Sequence, residues 1–138
     1  MDKNYCIFCK IVKREIPCDF IYENEDVFVF LDIKPLHPGH VLVLPKKHFR
    51  NIFDIEDKIL SEVTLIVKKM SKAVKEAVKA DGINIAVNNE PAAGQLVFHS
   101  HFHVMPRYFN DGFKHWVGTT YKEGEAKITA EKIKKEIA

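Results

Sequence analysis

Histidine stands at three alternate positions of the segment His99-Ser100-His101-Phe102-His103. In an extended strand alternate side chains share a face, so the spacing predicts one row of imidazoles with neighbours about 7 Å apart. Ser100, Phe102 and Val104 would point the other way, and two of them suit a core. Three imidazoles against a sheet are costly to hold unless they act together, and imidazole changes charge most readily near neutral pH. Two chemistries use such a row. An H-x-H strand can aim two ligands at one metal ion. It can also attack phosphorus, where imidazole is a competent nucleophile and a covalent intermediate divides one hard displacement into two easier ones. A neighbouring imidazole then steadies phosphoryl charge and assists the leaving group. A chance cluster on an exposed strand is the plain alternative, and the flanking residues weigh against it.

Those flanks carry what phosphate chemistry needs. Gly94 permits close backbone approach, and its amide with that of Gln95 is suited to phosphate oxygens. Asn88 adds a side-chain amide. Asp32, at a strand end before a proline-containing loop, suits ribose hydroxyls, as an acidic residue does in dinucleotide-binding folds. Phe8, Ile11 and Phe30 can make an apolar slot for a base, although each alone reads equally as core. Near the start, Cys6 and Cys9 form a C-x-x-C pair, half of a tetrahedral zinc site. A redox pair would want a thioredoxin-like βαβ setting, which this chain lacks, and a reduced buried pair is the plain reading.

The elements that must position these residues follow from periodicity. Ile7, Phe8 and Ile11 predict a short helix or turn within 6–14, closed by Pro17. Aromatic and β-branched residues predict strands at 19–23, 26–33 and 40–45, with KPLHPG at 34–39 as a loop. Ile55, Ile59, Val63, Ile66, Met70, Val74 and Ala77 make one apolar stripe, predicting a long helix over 54–80 with Gly82 past its end. Strands at 83–88 and 95–106 flank the loop 89–94, and a short helix over 128–137 ends the chain. Several strands around one long helix, without βαβ alternation, indicate an α+β fold with a mainly antiparallel sheet.

Composition bounds the function. The chain has 138 residues, 46% of them hydrophobic, enough for one domain with a real core. Lys+Arg 21 against Asp+Glu 19 leaves a formal charge of +2, which argues against a nucleic-acid footprint. Lys68, Lys69, Lys72, Lys75 and Lys79 read as a solvated helix face. The opening residues Asp2, Lys3 and Asn4 do not read as a leader, and no stretch approaches the roughly 18 apolar residues of a membrane span. Three cysteines do not make a secreted disulfide framework. The expectation is a cytoplasmic protein with no nucleic-acid or membrane partner.

The segment HSHFHVM resembles the signature of the histidine triad (HIT) family, in which three histidines alternate with apolar residues. The resemblance extends over most of 4–107, through CIFCKIVKREIP, FVFLDIKPLHPGHVLVLPKKH and NNEPAAGQLVFHSHFHVMPR in the family's order. It implies a HIT-like fold of about five strands, one long helix and a short N-terminal helix. The whole chain would be one HIT domain, with 4–107 as core and 108–138 as a C-terminal extension. Trp116 in that extension suits either a substrate entrance or packing.

By that resemblance His101 is the nucleophile, His103 contacts the phosphate and helps the leaving group, His99 orients the others, and His40 supports the nucleophile. Asp32 and Ile33 match the family's ribose and base contacts, and Asn88, Gly94 and Gln95 its phosphate contacts. Cys6, Cys9, His48 and His99 match a closed four-ligand zinc site, which makes the metal structural. Ser100 departs from the apolar residue usual there. Leu96 stands where many members carry a small hydroxyl residue, so only its backbone amide can help. Pro106-Arg107 in place of glycines is closer to the branches acting on dinucleoside polyphosphates.

The implied activity is cleavage at the α-phosphate of a purine nucleotide conjugate of AMP or GMP, a phosphoramidate or dinucleoside polyphosphate, by a homodimer. No metal is needed at the phosphate, because imidazoles and amides supply positive charge. Two rivals stand beside it: a nucleotide-binding interaction module with incidental turnover, and a metallohydrolase using the histidine row as catalytic ligands.

Overall fold

The strands at 27–31 and 41–45 are apolar at every position, so the sheet must be covered on both faces. The computed structural model describes residues 5–137, so Asp2, Lys3 and Asn4 lie outside the described residues. Its elements are α1 (Ile7–Val12), β1 (Phe20–Glu23), β2 (Val27–Leu31), β3 (Val41–Pro45), α2 (Asp57–Ala77), β4 (Gly82–Ala86), β5 (Phe102–Arg107) and α3 (Glu125–Ile137). The five strands form one antiparallel sheet in the order β1-β2-β3-β5-β4. The fold is α+β, as the element pattern indicates.

Val27, Val29, Val41, Val43, Phe102 and Val104 pack with Ile59, Val63, Ile66, Val67, Met70 and Val74 of α2. The alternate residues Phe28, Phe30, Leu42 and Leu44 pack on the opposite face with Cys6, Phe8, Cys9 and Ile11. His103 is registered against Leu42 of β3 and Ala86 of β4, which places it on the α1 face. The two helices thus cover different faces, and the histidines emerge beside the smaller one.

Several boundaries differ from expectation. The long helix starts at Asp57 rather than residue 54, because the Asp54 carboxylate accepts the amides of Arg50 and Asn51 and closes a turn there. It ends in a Schellman arrangement in which Ala80 N–H reaches Lys75 O and Lys79 takes the left-handed position at φ 54°. Gly82 is therefore no cap and instead begins β4. The last strand starts at Phe102, not at 95, which changes how the histidines are presented. α3 spans 125–137 and buries none of its residues.

Candidate active site and metal centre

The chain leaves the sheet before Phe102 because other partners claim it. Gln95 is almost fully buried, and its Nε2 donates to the carbonyls of Arg50 (2.7 Å) and Val97 (3.1 Å). Its Oε1 accepts from Asn51 Nδ2 (3.0 Å) and the Glu90 amide (2.8 Å). Further on, the amide of Ser100 donates to Phe49 O at 2.7 Å. Residues 95–101 are thereby tied to the segment after β3 instead of continuing the sheet. His99, His101 and His103 do not form a row on one strand face. The rings of His101 and His103 lie 5.1 Å apart, while His99 turns toward the cysteines.

Backbone groups set the tautomers of His99, His101 and His40, and His40 sets that of His103. His99 Nε2–H donates to Pro45 O at 2.7 Å, which leaves Nδ1 with its lone pair. His101 Nδ1–H donates to His99 O at 2.7 Å, so its Nε2 carries the free lone pair. The amide of Leu36 donates to His40 Nδ1 at 3.0 Å, so His40 bears its proton on Nε2. That Nε2–H donates to His103 Nδ1 at 2.9 Å, which puts the proton of His103 on Nε2. Two neighbouring imidazoles therefore present opposite chemistry: His101 a lone pair, His103 an N–H.

Burial pushes all four side chains toward the neutral form. His99 is held down to about 4, chiefly by desolvation, with the nearby His48 and His101 adding to it. His101, His103 and His40 are also lowered by burial, and the Asp32 carboxylate partly opposes this in each. Asp32 Oδ2 lies 3.5 Å from His40 Nε2 and 3.9 Å from His103 Nδ1. Its Oδ1 accepts the Lys34 amide, fixing the carboxylate at the start of the 32–40 loop.

The four residues Cys6, Cys9, His48 and His99 meet at one point. His99 Nδ1 lies 3.4 Å from Cys6 Sγ, 3.5 Å from Cys9 Sγ and 3.2 Å from His48 Nδ1, and Cys9 Sγ is 3.4 Å from His48 Nδ1. A tetrahedral zinc bound at about 2.3 Å to sulfur and about 2.0 Å to nitrogen spaces its ligands about 3.3–3.8 Å apart. Donor type, separation and the Nδ1 lone pair of His99, directed at the cysteines, all fit that ion. A second group, Asp32, His40 and His103, also has its ligand atoms within 4.8 Å of one another. It fits a metal poorly. With Leu36 donating to Nδ1, His40 Nε2 keeps its proton and offers no lone pair.

Other expected residues take positions of their own. Phe8, Ile11 and Phe30 are buried in one packed cluster rather than lining an open slot, and Phe8 sets its ring against His101 at 5.0 Å. Ile33 and Leu96 are almost fully exposed. The Gly94 and Gln95 amides are spent within their own turn, on Pro91 O and Glu90 O, so they are not free for a phosphate. Asn88 is half-buried, and its Nδ2 reaches Gly94 O at 3.4 Å. Sequence reasoning passed over Asn51, Arg50 and Glu90. The Glu90 carboxyl is held down to about 2 by the Arg50 guanidinium and by Asn51, and together they brace the 88–95 loop. A surface hollow of about 730 Å³ runs along Asp81–Asn84 and Arg107–Phe113 and excludes both His101 and His103.

One imidazole presenting a lone pair beside another presenting an N–H, on a five-stranded antiparallel sheet, is the arrangement expected of the histidine triad class. The chain belongs to the HIT family, whose domain model matches residues 13–110. It is 44% identical to a HIT-like protein of Methanocaldococcus jannaschii of uncharacterised activity, over 96% of this chain and 98% of that one. It is 41% identical to an adenosine 5′-monophosphoramidase of Candida albicans, over 74% and 70% of the two chains. Among solved structures, a HIT family member from Bacillus subtilis superimposes with a TM-score of 0.89 at 38% identity, covering 97% of this chain and 98% of that one. A zinc-bound histidine triad protein from Mycobacterium smegmatis gives 0.77 at 33% identity, covering 97% of each.

Proposed function

We propose that this protein is a nucleotidyl hydrolase or transferase that cleaves the α-phosphate bond of a purine nucleotide conjugate through a covalent nucleotidyl-histidine on His101. The observation that carries it is the bond from His101 Nδ1–H to His99 O, which leaves Nε2 unprotonated beside His103. Nε2 attacks the α-phosphorus and the bond to the leaving group breaks, its electron pair departing with that group. His103 Nε2–H faces the departing atom. The first step consumes a proton, which the His40–His103 pair delivers through His103 Nε2–H once it is protonated beside the Asp32 carboxylate, and the second step, attack by water, returns a proton to the pair. Asp32 and Ile33 serve ribose and base, and Asn88 the phosphate. Phe8, Ile11 and Phe30 back the nucleophile rather than enclosing the base. The likeness to an adenosine 5′-monophosphoramidase favours an AMP conjugate with an amine leaving group.

Cys6, Cys9, His48 and His99 hold a structural zinc, supported by their spacing and by the zinc-bound relative. The metal fixes the loop that carries His99 and takes no part at the phosphate. Residues 4–107 make the working core and 108–138 an extension. A homodimer is supported by the sheet edge at β4, where Ile85 is 54% exposed, and by an α3 that buries nothing on its own domain. No helix among the described residues is long and apolar enough to cross a membrane. We place the protein in the cytoplasm, where Cys6 and Cys9 persist as thiols able to bind metal.

The test is AMP release from adenosine 5′-phosphoramidate and diadenosine polyphosphates by the wild type and His101→Ala. Release by the wild type alone, with AMP trapped on His101 after acid-free quenching, supports the reading. Equal release by both proteins would remove His101 from the mechanism. A folded wild type that binds AMP but releases none points to the interaction-module alternative.

A further inference from the structure

We propose that His37 is a positioning residue for the His40–His103 pair, and that its hydrogen bond to Asp111 fixes the tautomer in which His103 meets the leaving group. The inference rests on the mechanism above, but its first test does not require turnover.

His37 sits at the tip of the loop between Asp32 and His40 and faces away from the triad. Its Nε2 lies 3.1 Å from Asp111 Oδ2. Asp111 is a firm anchor. Its carboxylate also accepts from Arg107 Nε (2.8 Å) and Nη2 (2.7 Å), the Tyr108 amide (2.9 Å) and the Phe113 amide (3.0 Å). The Arg107 contact, first among these, holds Asp111 far below the usual carboxylate range, so His37 Nε2 is the donor. The His37 ring also meets the Tyr108 ring edge-on at 5.4 Å, and Tyr108 Oη donates to Val78 O at 3.0 Å. The loop tip is thus stapled to the turn that follows β5.

From this tip two bonds run inward. His37 O accepts the His40 amide at 3.1 Å, and the neighbouring Leu36 amide donates to His40 Nδ1 at 3.0 Å. Pro35 and Pro38 flank the pair and narrow the backbone choices of Lys34 and His37. Where the His37 side chain is pinned therefore sets where the Leu36 amide points. Without that amide, His40 is free to move its proton to Nδ1. Its Nε2 would then present a lone pair to His103 Nδ1, and His103 restores a hydrogen bond only by moving its own proton away from Nε2. The donor facing the leaving group would be lost, although no group touching substrate had changed.

Long-range ¹H–¹⁵N spectra of the imidazoles read this directly in the full-length, metal-loaded protein. In the wild type His40 and His103 should each show a single Nε2–H tautomer. His37→Ala should give mixed tautomers at both positions. His37→Gln, whose amide nitrogen reaches about where Nε2 stood, should restore the single form. Kinetics supply the second readout. For His37→Ala, kcat on adenosine 5′-phosphoramidate should fall about tenfold with KM little changed, because an amine leaves only with a proton. On the 4-nitrophenyl ester of AMP, whose leaving group needs none, the loss should stay within about twofold. Unchanged tautomers in His37→Ala overturn the proposal, as does an equal loss on both substrates. If the wild type cleaves neither substrate, the functional reading fails, and the spectra alone still decide the role of His37.

Discussion

The main-chain carbonyl of His99 accepts the Nδ1–H of His101 at 2.7 Å, while the His99 ring faces Cys6 and Cys9. One residue therefore belongs to two sites: its side chain completes the Cys2His2 cluster and its backbone sets the tautomer of its neighbour. The cluster is built from α1, the residue after the PKK turn and the loop before β5, so an ion there would lock three separate segments around His101.

Loss of the metal should accordingly reach the phosphate chemistry without touching any group there. Cys6→Ala and Cys9→Ala variants should bind little zinc by elemental analysis and melt earlier than the wild type. Their AMP release should fall about ten- to a hundredfold, the range expected when groups supporting a site are removed. Full activity in a folded variant shown to lack metal would separate the two sites.

Stability should fall on mild acidification. His40, His99, His101 and His103 all have folded-state values lowered by burial, His99 to about 4. In the unfolded chain each takes a proton near 6.5. Between those values the unfolded state binds more protons, so stability is full above about pH 6.5 and is lost progressively as pH falls toward 4. Thermal midpoints at pH 7.5, 6 and 5 should decrease in that order. A His101→Gln variant, with one titrating imidazole fewer, should show the shallower slope.

Much of this was legible in the sequence, and the rest was hidden for identifiable reasons. The aromatic and β-branched runs VFVFL and HVLVLP and the apolar stripe from Ile59 to Val74 pointed to the sheet and the long helix, the first through strand preference and the second through burial on a helical period. The strand read over 95–106 failed at Gln95, whose four side-chain hydrogen bonds to residues near and far outweigh local β preference. For the same reason the row of three histidines was misplaced, although their joint importance stood out from spacing alone. Gly94 was read as offering its amide, but a short 3-10 turn at Pro91–Ala93 claims it. Asn51, Asp111 and Leu36 carried no signal, because a single polar or apolar residue acquires its role only from partners far along the chain.

Asn51 should be among the more sensitive positions outside the triad. It is 1% exposed, and its Nδ2 joins Glu90 Oε1 at 2.8 Å to Gln95 Oε1 at 3.0 Å while its Oδ1 accepts the Phe53 amide. Asn51→Ala removes these three hydrogen bonds, a loss of about 1–3 kcal/mol in all. For a chain of this size each kcal/mol lowers the melting temperature by roughly 3 °C. Hydrogen exchange should quicken in the 88–95 loop specifically. Uniform exchange across the protein would show that Asn51 contributes only to global stability.

Gly39 offers a cleaner probe of the 32–40 loop. It adopts φ 102°, and a Cβ there would stand 3.0 Å from Val78 Cγ1 and 3.6 Å from Pro106 Cγ. Gly112 has a comparable φ of 85°, yet a Cβ on it would meet nothing within 4 Å. Alanine at either position carries the backbone strain of a left-handed residue, about 1 kcal/mol or more. Only Gly39→Ala adds crowding against the end of α2, which must be relieved by moving the turn that leads into His40. It should therefore destabilise more than Gly112→Ala in denaturant unfolding, and it alone should slow AMP release. Equal losses of stability in the two variants would mean that the Val78 side chain yields freely and that the loop is not seated against the helix.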